Sequence, residues 1–505
     1  MNSKPDVAVG IIGAGFAGLV AALRLKKSGR NSFLIFERAA EIGGTWRDNV
    51  YPGCACDIAS PLYSFADEPN PDWSRLYSNQ PEILAYLKEV VAKRGLNRHI
   101  RFNSDIVEAS FLQEQGYWQV TDRQGTTTTA GVLLLGLGPL NRPFIPDFKA
   151  FNDFRGTSFH SSQWDTTYNY KGKRVAVIGT GASAIQIVPA IAPEVAQLTV
   201  LQRTPAWITP RYYHAISSLI QKTYHRFPFL QKVVREFIYW SNEFIGLGFI
   251  GSKLVNKTIS RLSLRKLRKE VKDPDVRRKL TPDYTLGCKR ILRSDDYYPS
   301  FNRPHVKLVT DSIERFTERG ILTADGTEHL LDAIIFATGF VAADINLYTR
   351  IMGLQGRSLV DEWQQNGAEA FMGTTISGYP NLGFLLGPNT GLGHNSVVHM
   401  MESQMNYLML YLEYLESRGS GSFLDVKPVV QDAYNRRLQK QFKGTVWTSG
   451  CKSWYFNKEG KNTTLYPRLP STFRKKTRSF NPAHYQLHLP SIHSSSTHPA
   501  VFTSR

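Results

Sequence analysis

Two stretches of this chain end on side chains of opposite charge at matching places. SFLIFE ends on Glu37 and LTVLQR on Arg203, each closing a short apolar run of the kind that forms a buried strand. Glu37 stands 24 residues after Gly13, and Arg203 stands 24 residues after Gly179, the first glycines of two glycine-rich turns. An acid at such a strand end can bond the hydroxyls of a ribose, whereas a guanidinium can grip the oxygens of a 2′-phosphate in a bidentate way. Glu37 therefore suits a nucleotide with a free ribose diol. Arg203 suits one phosphorylated at the 2′ position, with Thr204 adding a hydroxyl, unless it is simply a solvated residue at a strand end.

The elements that must position these residues are legible around them. VAVGIIGAGFAG passes from an apolar strand through Gly13, Gly15 and Gly18 into LVAALRLKKSG, which has helical apolar spacing and stops at Gly29. RVAVIGTGASAIQIVPAI repeats the unit with Gly179, Gly181, Ser183 and Ala184. Glycines here allow a tight turn and bring the backbone close to a pyrophosphate at the helix N-terminus. One such fingerprint is weak evidence, but two with equal offsets describe a pair of dinucleotide sites: one FAD and one exchangeable NADPH. LLDAIIFATGF and VLLLGLGPLNRP read as further buried strands. GFLLGPNTGLGHNSVV leads, near Asn395, into a long helix whose positive end suits a flavin ring. His394 and His399 read equally well as packed side chains.

Composition narrows the classes. A chain of 505 residues has room for about three domains. It lacks a long uninterrupted apolar run, and its start enters a strand at once, so a cytoplasmic protein without a signal peptide is expected. Four cysteines, Cys54, Cys56, Cys288 and Cys451, are too few for a disulfide scaffold, and reduced thiols are the default expectation. The C-x-C spacing of Cys54 and Cys56 fits a disulfide reductase poorly, and no metal site is expected. The net charge is +19, and residues 211–280 hold 16 Lys and Arg against 5 Asp and Glu. That stretch reads as helices inserted in the second nucleotide unit. A solvated basic face is its commonest explanation, peripheral membrane contact through Trp240, Phe244 and Phe249 the next, and nucleic acid the last, for want of a reader motif.

FRGTSFHSSQWD fits F-x-G-x-x-x-H-x-x-x-W-D through Phe154, Gly156, His160, Trp164 and Asp165. GGTWRDNVYPGCACD fits G-G-x-W-x-x-x-x-Y-P-G-x-x-x-D through Gly44, Thr45, Trp46 and Asp57. Together they resemble the patterns of type I Baeyer-Villiger monooxygenases, a branch of the FAD- and NADPH-dependent flavin monooxygenases, from about residue 7 to about 475. The resemblance implies that O2 adds to reduced flavin and that the resulting peroxide attacks a ketone, giving an ester or lactone. It implies that Arg290, in GCKR, is the active-site arginine and Asp57 the carboxylate that tunes it. It further implies that Lys289 grips the 2′-phosphate beside Arg203, that Trp454 contacts NADP near a small-molecule substrate, and that His160 governs domain arrangement. N- or S-oxygenation, a flavin reductase or oxidase, and a membrane-bound binding module with a vestigial flavin site remain alternatives.

The expected architecture is α/β, with two Rossmann-like domains and a helical insertion. Residues 1–142 and 341–470 are assigned to FAD, 143–170 to an interdomain linker, 171–209 and 281–340 to NADP, and 210–280 to the insertion. Residues 471–505 are expected to be a disordered tail.

Overall fold

The computed structural model describes residues 4–341, 349–451 and 453–489. Its strands fall mainly into two sheets, each built around one of the two glycine turns. In the first, Val7–Ile12 lies between Phe33–Phe36 and Thr127–Leu135, parallel to both. The sheet extends through Tyr117–Asp122 and Ile106–Leu112 to Arg350–Met352, and Leu382–Phe384 also pairs with Thr127–Leu135. The second sheet has five strands, all parallel, with Arg174–Ile178 between Gln197–Leu201 and Ala333–Phe336. Val175, Ala176 and Val177 are wholly buried, as a strand covered on both faces must be.

The two turns share one steric device. Gly13 has φ +99°, and a Cβ there would stand 2.7 Å from the carbonyl oxygen of Gly136. Gly179 has φ +112°, and its Cβ would stand 2.5 Å from the carbonyl oxygen of Ala337. Only glycine tolerates both the dihedral and the contact. Each turn can therefore bend sharply beneath the end of the neighbouring strand and open into its helix, Phe16–Lys27 or Ala184–Ile191.

Three features depart from the sequence-based expectations. Thr157–His160, expected to lie in a linker, is the edge strand of the second sheet, beside Ala333–Phe336. The fingerprint segment is thus part of that sheet's framework. Its Phe154 ring packs over Gly156, where a Cβ would come within 2.4 Å of it.

The tail is ordered through 489. Pro470–Lys476 is helical, and Tyr485–His488 pairs antiparallel with Phe423–Val426. A disordered tail was expected from 471 on, but Phe473 and Tyr485 are buried, and Phe480 packs on Tyr407, Tyr411 and Tyr485. Residues 490–505 lie outside the described part.

Within the insertion, Phe249 is buried whereas Trp240 and Phe244 are exposed. The insertion comprises the helices Ser218–Arg226, Pro228–Leu247, Lys253–Glu270 and Pro274–Lys279. It is closed at its base where Ile208–Thr209 pairs with Leu292–Arg293.

The Tyr485 hydroxyl lies 2.8 Å from that of Tyr407 and 2.9 Å from Oγ1 of Thr375. Tyr485→Ala should therefore cost about 3–5 kcal/mol of stability and Tyr485→Phe only about 1 kcal/mol, read from denaturant unfolding.

Candidate active site

The first glycine turn presents a cradle without side chains. A Cβ on Gly44 would stand 3.3 Å from the Cα of Gly15, so two bare backbones face each other there. No side chain caps the helix Phe16–Lys27, and no acid occupies its first turn. The positive end of that helix is left to an external anion, which fits the pyrophosphate of FAD. Glu37 is buried at the end of Phe33–Phe36. It accepts the backbone N–H of Ala14 at 2.8 Å, that of Ala39 at 3.0 Å, and Nη1 of Arg47 at 2.8 Å. Its carboxylate is thereby pinned under the turn, with lone-pair capacity remaining for ribose hydroxyls. Thr45 lies open at the start of a short helix, while Trp46 is buried and donates Nε1 to the Tyr63 hydroxyl at 3.1 Å.

The second turn is also open. Nothing lies within 4 Å of a Cβ built on Gly181. Ser183 is half-buried at the helix start, and Thr180 donates to the carbonyl of Thr204 at 2.9 Å, joining the turn to the strand end. Arg203 is exposed and has no ion-pair partner among the described residues. Lys289 lies over the Tyr284 ring at 4.9 Å; burial, and then the charge of Arg203, push its ammonium below the usual lysine range. Two neighbouring cations with so little neutralisation fit a phosphate dianion, as the 2′-phosphate of NADP would supply.

Between the two units lies the ion pair. Arg290 donates Nη2 to Oδ2 of Asp57 at 2.6 Å and Nε to the same oxygen at 3.3 Å. No acceptor takes its Nη1 among the described residues. The side chains remain 37% and 24% exposed, so the pair faces open space and is not sealed in a core. Burial alone would raise the Asp57 carboxyl. The Arg290 guanidinium outweighs it, with help from Arg293, and holds the carboxyl below the usual carboxylate range. Asp57 in turn raises Arg290, which is therefore a fixed cation.

The pair is braced from both sides by residues that sequence reasoning missed. The loop leading to Asp57 is tied to the helix Ala184–Ile191 by Gln186, which accepts from the Tyr51 hydroxyl at 3.1 Å and donates to the Ala55 carbonyl at 2.9 Å. Arg211 donates to the Cys56 carbonyl at 2.9 Å, and Arg293 to the Tyr77 hydroxyl at 2.8 Å. Tyr455 is buried near Arg290 and Asp57, and burial pushes its phenol up to about 12. Its position next to Trp454 in KSWYF was the one signal available for it; nothing in the sequence singled out Gln186.

Trp454 packs on Tyr455 with ring centroids 4.6 Å apart and is 45% exposed, at the surface and not in the core. Asn395 is buried, its amide donating to Glu243 at 3.2 Å and its oxygen accepting the Ser396 N–H at 2.9 Å, so its side chain is engaged by its neighbours. His394 packs on Phe249 and His399 on Tyr239; burial lowers them to about 4 and about 3, which leaves both neutral and packed. His160 is buried, with Nδ1 2.8 Å from the Ser162 hydroxyl and its ring against Phe340. Trp164 packs on Phe159, and Asp165 accepts the backbone N–H and the hydroxyl of Thr167. These fingerprint residues hold a segment in shape and do not meet the ion pair.

The thiol expectation is corrected in part. Cys288 and Cys451 form a disulfide, which ties the segment bearing Lys289 and Arg290 to the one bearing Trp454 and Tyr455. Long-range folding brought together two residues 163 apart, which spacing could not reveal. Cys54 and Cys56 are free and buried, and desolvation pushes Cys54 up to about 11 and Cys56 higher still.

Two dinucleotide cradles flanking a fixed arginine define a flavin- and nicotinamide-dependent oxidoreductase. Residues 6–347 match the flavin-binding monooxygenase-like family, and the chain belongs to it. A Baeyer-Villiger monooxygenase of Pseudomonas aeruginosa is 47% identical over 495 residues, covering 96% of this chain and 94% of that protein. One from Streptomyces coelicolor is 44% identical, covering 95% and 92%. The crystal structure of OTEMO in complex with FAD and NADP superposes with a TM-score of 0.86 at 28% identity, covering 96% of this chain and all of the other. Cyclohexanone monooxygenase from Rhodococcus sp. Phi1, bound to NADP+, gives a TM-score of 0.85 at 27% identity, covering 96% and 100%.

Asp57 has a depressed folded pKa, so its stabilising contribution is complete above its unfolded value of about 4 and is lost only as pH falls through the lower folded value. The stability difference between the wild type and Asp57→Asn should therefore stay flat from about pH 5 to 9 in thermal unfolding; a difference that titrates near neutrality contradicts the pairing. Thiol alkylation followed by mass spectrometry should label no cysteine in the native protein, two after unfolding without reductant, and four after unfolding with it.

Proposed function

We propose that this protein carries out Baeyer-Villiger oxidation, in which a ketone, O2, NADPH and a proton give an ester or lactone, NADP+ and water. The observation that carries the reading is the Arg290–Asp57 pair, held between two nucleotide cradles with one guanidinium nitrogen free. FAD, when bound, supplies hydride acceptance from NADPH and the activation of O2. The chain's own contribution is binding, orientation and charge. Gly13, Gly15, Gly18, Gly44 and Glu37 would hold FAD; Gly179, Gly181, Ser183, Arg203, Thr204 and Lys289 would hold NADP, with Trp454 at the rim.

Arg290 is a permanent cation and a poor proton acceptor, so it cannot serve as a general base. Its free Nη1 can donate to the carbonyl oxygen of a ketone and stabilise negative charge that grows there. Asp57 anchors the other edge of the guanidinium, so that this donor stays aimed while the pair as a whole remains close to neutral. Buried Tyr455 and half-buried Tyr63 lie near the pair and help limit water around it. The substrate is a small apolar ketone. A cytoplasmic location is part of the same proposal.

Arg290→Ala should abolish ester formation in gas chromatography of products while NADPH oxidation continues; ester formation that survives removes Arg290 from the mechanism. Arg203→Ala should raise KM for NADPH by about ten- to a hundredfold, the worth of a charged hydrogen bond, and leave KM for NADH nearly unchanged. Equal effects on both nucleotides would reject the phosphate assignment.

A further inference from the structure

The helix Pro228–Leu247 carries two faces with different tasks. Its inner face is anchored: Glu243 accepts from the Ser471 hydroxyl at 2.6 Å and from Asn395 at 3.2 Å, and Arg235 pairs with Glu402 at 3.4 Å. Gln231, Tyr239, Asn242 and Gly246 are buried on it. On the outer side, Phe229 is 60%, Val233 58%, Phe237 73%, Trp240 57% and Phe244 63% exposed. At 3.6 residues per turn and a rise of 1.5 Å these five fall within an arc of about 80° along about 22 Å of helix. A continuous aromatic stripe held rigidly toward solvent is unlike the scattered apolar residues of an ordinary surface.

The next helix, Lys253–Glu270, follows after the turn at 248–252 and packs against the first. It exposes Lys253, Lys257, Arg261, Arg265, Arg268 and Lys269, none with an ion-pair partner among the described residues. Glu270 and Asp295 both pair with Lys266, on the buried side of the same helix, and not with these exposed cations. An apolar aromatic stripe beside an unneutralised basic helix is the chemistry of a surface that lies on an anionic bilayer, rings in the headgroup boundary and cations toward lipid phosphates. No helix among the described residues is long and apolar enough to cross a membrane, so contact would be confined to one leaflet.

We propose that this helix pair docks the enzyme on the surface of an anionic lipid bilayer. Docking needs no turnover, so it stands apart from the ketone-oxidation reading. On that reading, it gives apolar substrates dissolved in the bilayer a short path to the protein.

The test is sedimentation of the FAD- and NADP-loaded protein with vesicles of phosphatidylcholine alone or mixed with phosphatidylglycerol. The wild type should co-sediment with the mixed vesicles at low salt, and about tenfold less with phosphatidylcholine or at high salt. Phe237→Ser/Trp240→Ser/Phe244→Ser, all at exposed positions, should lose binding about tenfold while oxidising NADPH in solution at the wild-type rate. Lys257→Glu/Arg261→Glu provides a second variant that leaves the stripe intact and should also lose binding. Arg290→Ala should bind vesicles like the wild type, which separates docking from catalysis. Failure of the wild type to co-sediment, or undiminished binding by the stripe variant, overturns the proposal. So does a soluble dimer, seen in sedimentation velocity, that the stripe variant abolishes, because the stripe would then be an interface between copies.

Discussion

The contact between Asp57 and Arg290 is the interaction on which the rest of the site depends. One partner belongs to a loop of the first nucleotide unit and the other to a segment of the second, so the pair is a charged contact across the seam between them. Removing either partner would leave a partly desolvated ion without its counter-charge, which is far more costly than losing an exposed pair. Gln186, Arg211 and Arg293 act on the same seam through neutral acceptors. Their bonds fix backbone positions without adding a competing negative charge, so Asp57 remains the acid that Arg290 sees. The disulfide completes the frame by holding the Trp454 and Tyr455 segment against the arginine.

The two nucleotide cradles differ electrostatically in a way that suits different residence. In the first, the acid at the strand end is already met by Arg47 and by two backbone donors, so the site is preorganised and close to neutral. In the second, Arg203 and Lys289 repel each other until an anion arrives, and much of the binding energy must come from relieving that repulsion. A preorganised cradle favours a cofactor that stays. An open cationic rim favours a nucleotide that exchanges and is told apart by its phosphate.

Much of this was legible in the sequence because it rests on local geometry. The glycine turns, the paired strand-end charges and the α/β class follow from spacing within about forty residues, where steric rules act directly. Arg290 and Asp57 were reached through motif resemblance, since their meeting spans 233 residues. What escaped was either nonlocal or collective. The Cys288–Cys451 bond, the role of Gln186 and the docking of the tail through Phe480 and Tyr485 all depend on which surfaces the fold brings together. His160, Trp164 and Asp165 were recognisable as a pattern, yet their contacts are with their own segment and sheet. Phe249 and Trp240 looked alike in a list of aromatic residues. Only the helix boundary shows that one is core and the other surface.

The parallel pairing of Ile208–Thr209 with Leu292–Arg293 clamps the two ends of the insertion side by side. The insertion is therefore a closed excursion that leaves and re-enters the nucleotide unit at one point. The clamp is also close to the site, since Arg290 sits two residues before it. The insertion does not hang from the clamp alone: Arg235 pairs with Glu402, Glu243 accepts from Ser471, and Gln231 donates to the carbonyl of Asn70. It therefore works as a strut, and a displacement of its helices would be felt at once by the segment bearing the arginine and by the parts of the chain that grip the strut's far end.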